Sequence, residues 1–242
     1  NLDRLIESEK NTIKIFKENV DSVVNVATIQ QRSGGWFYGD FEMPAGAGTG
    51  IVWDENGYIL TNFHVVQNGN KFNISFHNDK TQYEATVVGV EPKKDIAVLK
   101  LVKRPKKLVP IRVGSSQNLQ IGQKAIAIGN PFGLDHTITQ GIVSALDRKI
   151  EGIGGVKIHD MIQTDASINP GNSGGPLLDS SGLLIGMNTV IFSASGTSSG
   201  VGFAVPVDAI QRIVPQLVNF GKVIRPGIGI GVLPEHLRKR FG

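Results

Sequence analysis

Gly171-Asn-Ser-Gly-Gly175 has the composition of a loop that presents a reactive serine. A nucleophilic hydroxyl needs an exposed place on a tight turn and backbone N–H groups nearby to hold a developing oxyanion. Glycines on both sides of Ser173 permit such a turn and let a substrate backbone approach. The N–H groups of Gly171 and Ser173 are the expected donors, with Asn172 between them in the oxyanion loop, and each such donor typically removes about 3 kcal/mol of barrier. Taken alone, a Gly-Ser loop is as often a plain connector.

Two further signals change that balance. Leu60-Thr-Asn-Phe-His64-Val-Val66 places a histidine just past a predicted strand, where it could take the serine proton. Asp95-Ile-Ala-Val-Leu99 sets a carboxylate at the head of an apolar strand, a costly position unless the charge is paired. An imidazole N–H is a natural partner and would be fixed in tautomer and orientation by it. Each residue by itself is more often structural. Together they occur in the order His, Asp, Ser, which is the chymotrypsin-like order and not that of subtilisin or the α/β-hydrolases. His64 and Asp95 fall in the first half and Ser173 in the second, as a cleft between two barrels would recruit them.

The elements that must position these residues are short β runs. Gly50–Trp53, Tyr58–Asn62, Lys71–Phe76, Gln82–Val90 and Ala97–Leu101 read as strands, with turns at Asp54–Gly57 and Asn78-Asp79. Pro105–Pro110 reads as a connector. Lys124–Gly129, Thr137–Ala145, Met161–Thr164, Pro176–Leu178, Leu183–Val190 and Gly202–Pro206 repeat the style. Val207–Phe220 is an amphipathic helix, with Asp208 at its start and Gly221 at its end. Residues 1–20 read as a helix whose apolar face (Leu2, Leu5, Ile6, Ile13, Phe16, Val20) docks on the body or on another subunit. Gln31–Ala47 reads as a long loop carrying Trp36, Phe37, Tyr38 and Phe41. The expected fold class is all-β: two packed antiparallel β-barrels over about 21–106 and 111–206, with an N-terminal helix and a closing helix over 207–220.

Composition agrees with this and excludes other classes. Of 242 residues, 40% are hydrophobic and 30 are glycine, which favours a packed domain with many tight turns over disorder. There is no cysteine, so neither a disulfide framework nor a thiolate metal site is available. Net charge is +4, but the basic clusters Lys103–Lys107 and Arg238–Arg240 are not interleaved with aromatics, so no nucleic-acid partner is expected. No apolar run is long enough for a membrane span. The chain begins at Asn1 and not Met, which reads as a processed product with any signal peptide or anchor upstream.

Thr61-Asn-Phe-His64-Val-Val66, Asp95-Ile-Ala-Val-Leu-Lys100 and Asp165-Ala-Ser-Ile-Asn-Pro-Gly-Asn-Ser173-Gly-Gly-Pro-Leu177 resemble the catalytic blocks of the HtrA (DegP) family of serine proteases. Gly129-Asn-Pro-Phe-Gly133 and Gly202-Phe-Ala-Val-Pro206 also resemble segments of that family, and the match runs from about Val20 to Gly231. The resemblance implies a chymotrypsin-like double barrel and ATP-independent endoproteolysis of misfolded or unfolded proteins, without a cofactor. It also implies a homotrimer built through the N-terminal region and a periplasmic or cell-envelope location. Pro226-Gly-Ile-Gly-Ile-Gly231 is similar to the opening of a PDZ domain, which makes 223–242 a linker and the truncated start of that module, after a protease domain over 21–222.

The residue six before the serine lies at the base of the main specificity pocket in trypsin-like enzymes. Here it is Ser167, not an acid, so a buried Lys or Arg substrate side chain would be unpaired. In HtrA relatives the positions of Ile168 and Ile191 line this pocket, which points to small aliphatic substrate side chains. The segment Asn188–Phe192, including Val190, is expected to pair with substrate backbone as well as to serve as a core strand. Ser193–Gly200, small and polar, is expected to order on substrate binding. Three other readings compete with this one. A pseudo-protease that holds unfolded chains without cutting them shares the same cleft, and the presence of all three catalytic residue types argues against loss of chemistry. Gly46–Gly50 and Gly227–Gly231 lack dinucleotide or phosphate-loop spacing, and no two of the five histidines sit four apart as a zinc helix needs.

Overall fold

A computed structural model of the chain describes residues 4–33, 40–131, 135–151, 155–189 and 200–225. Strands β1 (Val23–Ser33), β2 (Asp40–Val52), β3 (Tyr58–Thr61), β4 (Lys71–Ser75), β5 (Gln82–Glu91) and β6 (Ile96–Leu101) close into one antiparallel barrel in the order β1-β2-β3-β6-β5-β4. Strands β7 (Lys124–Gly129), β8 (Thr137–Glu151), β9 (Lys157–Thr164), β10 (Pro176–Leu178), β11 (Leu184–Thr189) and β12 (Gly202–Pro206) close a second in the order β10-β11-β12-β9-β8-β7. The described residues also form helix α1 (Glu7–Asn19), a short turn of helix α2 (Phe63–Val66) and α3 (Val207–Phe220).

Side-chain alternation explains why many strands read as unbroken apolar runs. In β6, Ala97, Leu99 and Leu101 fill the first barrel, while Ile96 and Val98 face the apolar seam outside it. In β7, Ala125 and Ala127 fill the second barrel, and Ile126 and Ile128 face the seam. Such strands are buried on both faces, so the usual apolar–polar alternation is lost. The seam cluster also takes Val207, Ile210, Ile213, Val214 and Leu217 from α3. That helix ends at Gly221, whose φ of 71° lets its N–H donate to the Leu217 carbonyl at 2.9 Å.

Three local expectations change. The β8–β9 hairpin runs on past the expected bounds Ala145 and Met161, pairing out to Glu151↔Lys157. The stretch 31–47 is not a loop throughout: 31–33 and 40–47 extend the β1–β2 hairpin, pairing from Val23↔Ile51 out to Ser33↔Asp40. Glycines and a proline in Glu42-Met-Pro-Ala-Gly-Ala-Gly48 hide the strand in the sequence, because pairing with β1 and not side-chain period holds it. Trp36, Phe37 and Tyr38 lie outside the described residues. The N-terminal helix starts at Glu7, since Ile6 is extended, 65% exposed and serves as the cap, its N–H donating to the Glu9 carboxylate. Ile15 and Asn19 are the residues it buries. It docks on the chain's own second barrel, where Thr12 Oγ1 meets Gln140 at 2.7 Å and Lys124 Nζ donates to Thr12 Oγ1 at 2.6 Å.

A histidine ties the barrels together. His136, just before β8, places Nε2 2.7 Å from the Val23 carbonyl of the first barrel. A carbonyl only accepts, so Nε2 carries the proton and Nδ1 is bare; Nδ1 is buried without a partner among the described residues. The His77 ring stands edge-on at 5.1 Å, and Asp21 and Asp135 are the nearby acids. Burial holds the His136 pKa below its ordinary value of 6.5, against the opposing pull of the Val23 bond. The unfolded chain then binds a proton that the folded chain refuses, so stability is complete above 6.5 and falls as the pH drops below it. Asp21, held low first by Lys107 and then by His77, titrates below 3.8 and outside this window. Thermal midpoints measured between about pH 7.5 and 5.5 should fall more steeply for the wild type than for His136→Gln, which keeps a donor for Val23. Parallel slopes would remove this role.

Candidate active site

β3 ends at Thr61, Asn62 is extended, and the chain then turns through α2, which carries His64 at the mouth between the barrels. Asp95 follows a single 3₁₀ turn, Pro92–Lys94, and adopts the left-handed conformation with φ of 54°. Aspartate tolerates that region better than most residues. The Glu91 carboxylate caps the turn by accepting from the Lys93 N–H at 2.9 Å, and Arg225 pairs with the same buried carboxylate. Ser173 lies in the loop between β9 and β10.

These elements bring the three predicted side chains into one line. Asp95 Oδ2 lies 2.7 Å from His64 Nδ1, and Asp95 Oδ1 accepts from the His64 backbone N–H at 2.9 Å. His64 Nε2 lies 3.1 Å from Ser173 Oγ. A carboxylate on Nδ1 fixes the proton there and leaves Nε2 as a bare acceptor facing the serine hydroxyl. Asp95 is only 7% exposed, and Thr189 Oγ1 from β11 donates to its Oδ2.

The loop expected to hold the oxyanion is folded in on itself. The Gly171 N–H donates to Asn169 Oδ1 at 3.0 Å. The N–H groups of Asn172 and Ser173 both donate to the Asn169 carbonyl, at 3.1 and 3.2 Å. Asn172 closes the loop from the other side: its Oδ1 accepts from the Asn169 N–H and its Nδ2 donates to the Ser167 carbonyl, each at 2.9 Å. Asn-Pro is a strong opening for such a turn, since asparagine accepts from the backbone two residues on and proline presets its own φ. The donors expected to face a substrate oxyanion therefore point into a resting turn. Gly174 permits the close approach that follows, with φ of 87° and a Cβ position that would lie 2.2 Å from the Thr49 carbonyl.

The expected specificity residues are placed unevenly. Ser167 is exposed, and its carbonyl accepts from Thr139 and Asn172. Ile168 is buried in the second barrel's apolar cluster against Gly202, which has no room for a Cβ there. Asn188, expected to face substrate, has its backbone committed to the nucleophile loop: its carbonyl accepts from the Gly174 N–H at 2.8 Å and its N–H donates to the Gly175 carbonyl at 2.9 Å. Val190, Ile191 and residues 193–199 lie outside the described residues. Three polar residues at the site were not singled out from the sequence: Asn62, Thr189 and Thr49. All are buried within apolar strands or at their ends, and no spacing pattern in the sequence marks them.

Comparison with known proteins agrees with the fold. A trypsin-like peptidase domain matches residues 48–187. The two barrels and this match place the chain among the trypsin-like serine peptidases. It is 50% identical over 240 residues to Protease Do-like 1, chloroplastic, of Arabidopsis thaliana, covering 99% of this chain and 54% of that protein. It is 48% identical over 187 residues to a probable periplasmic serine endoprotease DegP-like of Chlamydia trachomatis, covering 77% of this chain and 37% of that protein. The solved HtrA-type protease AlgW with tripeptide matches with a TM-score of 0.76 and 36% identity, over 94% of this chain and 71% of that one. The chain belongs to the HtrA (Deg/Do-like) protease family, and it spans about half the length, or less, of these two curated relatives. Their names give different compartments, chloroplast and periplasm, so kinship alone does not choose between them. Among the described residues no helix is long and apolar enough to cross a membrane.

Thr189→Val removes the hydroxyl donor to a buried carboxylate while keeping volume. The loss should be about 1.5–3 kcal/mol by urea unfolding, with Thr189→Ser close to wild type. Equal stability of the valine variant would show that Asp95 does not depend on this donor.

Proposed function

We propose that this domain is an ATP-independent serine endopeptidase that cuts unfolded or misfolded protein chains in protein quality control. The observation that carries the reading is the continuous run Asp95–His64–Ser173, with contacts of 2.7 and 3.1 Å. Ser173 Oγ attacks the scissile carbonyl while His64 Nε2 takes its proton and later returns it to the leaving amine. Asp95 holds the Nδ1 proton and stabilises the imidazolium that forms. Water then releases the acyl group by the same route. The oxyanion is held by the backbone N–H groups of the Gly171–Asn172–Ser173 loop once its turn around Asn169 opens. Small aliphatic residues are preferred, as Ser167 offers no charge to a basic side chain and Ile168 stands at a position that lines this pocket in HtrA relatives. The reading includes a homotrimer joined through the N-terminal region, a protease domain over 21–222 and a linker with the start of a PDZ domain over 223–242. A periplasmic or cell-envelope site accords with the DegP-like relative.

A chaperone-like holding activity is a second reading, favoured by the closed oxyanion turn: in that form the cleft would bind a chain without cutting it. The two are separated by degradation of casein with wild type and Ser173→Ala. The wild type should cut, mostly after small aliphatic residues, and the variant should lose at least about a thousandfold in rate. Cuts made mainly after Lys, Arg or Phe would sink the preference. Undiminished cutting by the variant would sink the nucleophile. Binding by both proteins without any cutting would leave the holding activity in place of the protease.

A further inference from the structure

Asn62 is fully buried, and its amide bridges two parts of the site. Its Nδ2 donates to the Asp95 carbonyl at 3.0 Å. That bond sets the orientation of the amide, because a flip would put two carbonyl oxygens against each other. Oδ1 must then face the serine, and Ser173 Oγ lies 2.7 Å from it. A serine hydroxyl has one proton to donate. Among the described residues, two acceptors lie within reach of it, Asn62 Oδ1 at 2.7 Å and His64 Nε2 at 3.1 Å. His64 Nε2, with the Nδ1 proton fixed by Asp95, can only accept from the hydroxyl. The two bonds therefore compete for the same hydrogen, and the amide has the shorter one.

We propose that Asn62 is a positioning residue that holds the Ser173 hydroxyl proton away from His64 in the resting site. It rests on the reading of Ser173 and His64 as nucleophile and base. General-base attack requires Oγ–H to point at Nε2, so the hydroxyl must swing from the amide to the imidazole before reaction. The swing is a rotation about the Cβ–Oγ bond, needing no backbone motion. Because Nδ2 is anchored on the Asp95 carbonyl, the amide moves with the Asp95 turn. The resting serine is thereby kept a poor nucleophile by the same residue that braces its triad partner.

The test uses the whole chain and two readouts. The first is the ¹⁵N resonance of His64 Nε2 in wild type and Ser173→Ala, at a pH where the ring is neutral. If the hydroxyl donates to Asn62, the Nε2 lone pair is already free and removing the hydroxyl leaves the resonance unmoved. A downfield move in Ser173→Ala means that the serine was bonded to His64, and this overturns the assignment. The second readout is the rate at which a fluorophosphonate labels Ser173. Asn62→Ala removes the competing acceptor and should label about three- to tenfold faster than wild type, the worth of one neutral hydrogen bond. Asn62→Asp also loses the Nδ2 donor but keeps an acceptor toward the serine, and should show no such gain. Asn62→Ala and Asn62→Asp slowed together would mark a purely structural role and overturn the proposal. Label that persists in Ser173→Ala would instead sink the protease reading. A wild type that takes no label leaves the nitrogen resonance to decide the Asn62 bond.

Discussion

The placement of the site follows from one buried charge. A carboxylate removed from water must be surrounded by donors or it destabilises the fold by several kcal/mol. Asp95 obtains its donors from both barrels: the His64 backbone and ring from the turn after β3, and the Thr189 hydroxyl from β11. Its carbonyl is also used, accepting from the Asn62 side chain and the Phe63 N–H. The left-handed conformation at Asp95 turns the side chain and carbonyl so that one residue can serve all of these contacts. Satisfying this residue therefore fixes the α2 turn against β6 and brings the second barrel up to the first.

The nucleophile loop is set by a neighbouring constraint, room for main chain against main chain. The Thr49 N–H donates to the Ser173 carbonyl, its hydroxyl donates to the Gly171 carbonyl, and the same oxygen accepts from the Asn130 N–H. One threonine of β2 thus holds the serine loop and the end of β7 together. Gly174 and Gly129 make this possible, since a Cβ at either would meet backbone or Asn172 well inside contact distance. The glycines flanking Ser173 thus serve the barrel junction as well as access for a substrate.

Much of this was legible in the sequence, for identifiable reasons. β7, β10, β12 and α3 have the expected bounds within a residue, because each is a short apolar run or a clear amphipathic face ended by turn residues. His64, Asp95 and Ser173 could be grouped by their order in the chain, since that order is independent of loop detail. The outer half of the β1–β2 hairpin was hidden, as Pro44 and Gly46 read as loop and only long-range pairing makes them strand. Asn62 and Thr189 were hidden for a different reason. A lone Asn or Thr beside an apolar run has no spacing signature, and its role depends on a partner 111 or 94 residues away.

The resting geometry of the site follows from the same rule that places Asp95. A cleft without substrate still contains polar groups with little access to water, and each needs a partner. Here the Gly171, Asn172 and Ser173 N–H groups find theirs on Asn169, and the Ser173 hydroxyl finds its shorter contact on Asn62. Both partners are asparagines, whose amides hold firmly enough to order a loop yet carry no charge that would have to be displaced at full cost. A substrate carbonyl that competes for the loop N–H groups replaces neutral hydrogen bonds with charge-assisted ones only as the oxyanion forms. In the proposed reaction that exchange would favour the transition state over the ground state, which is the condition under which binding energy speeds reaction instead of only tightening binding.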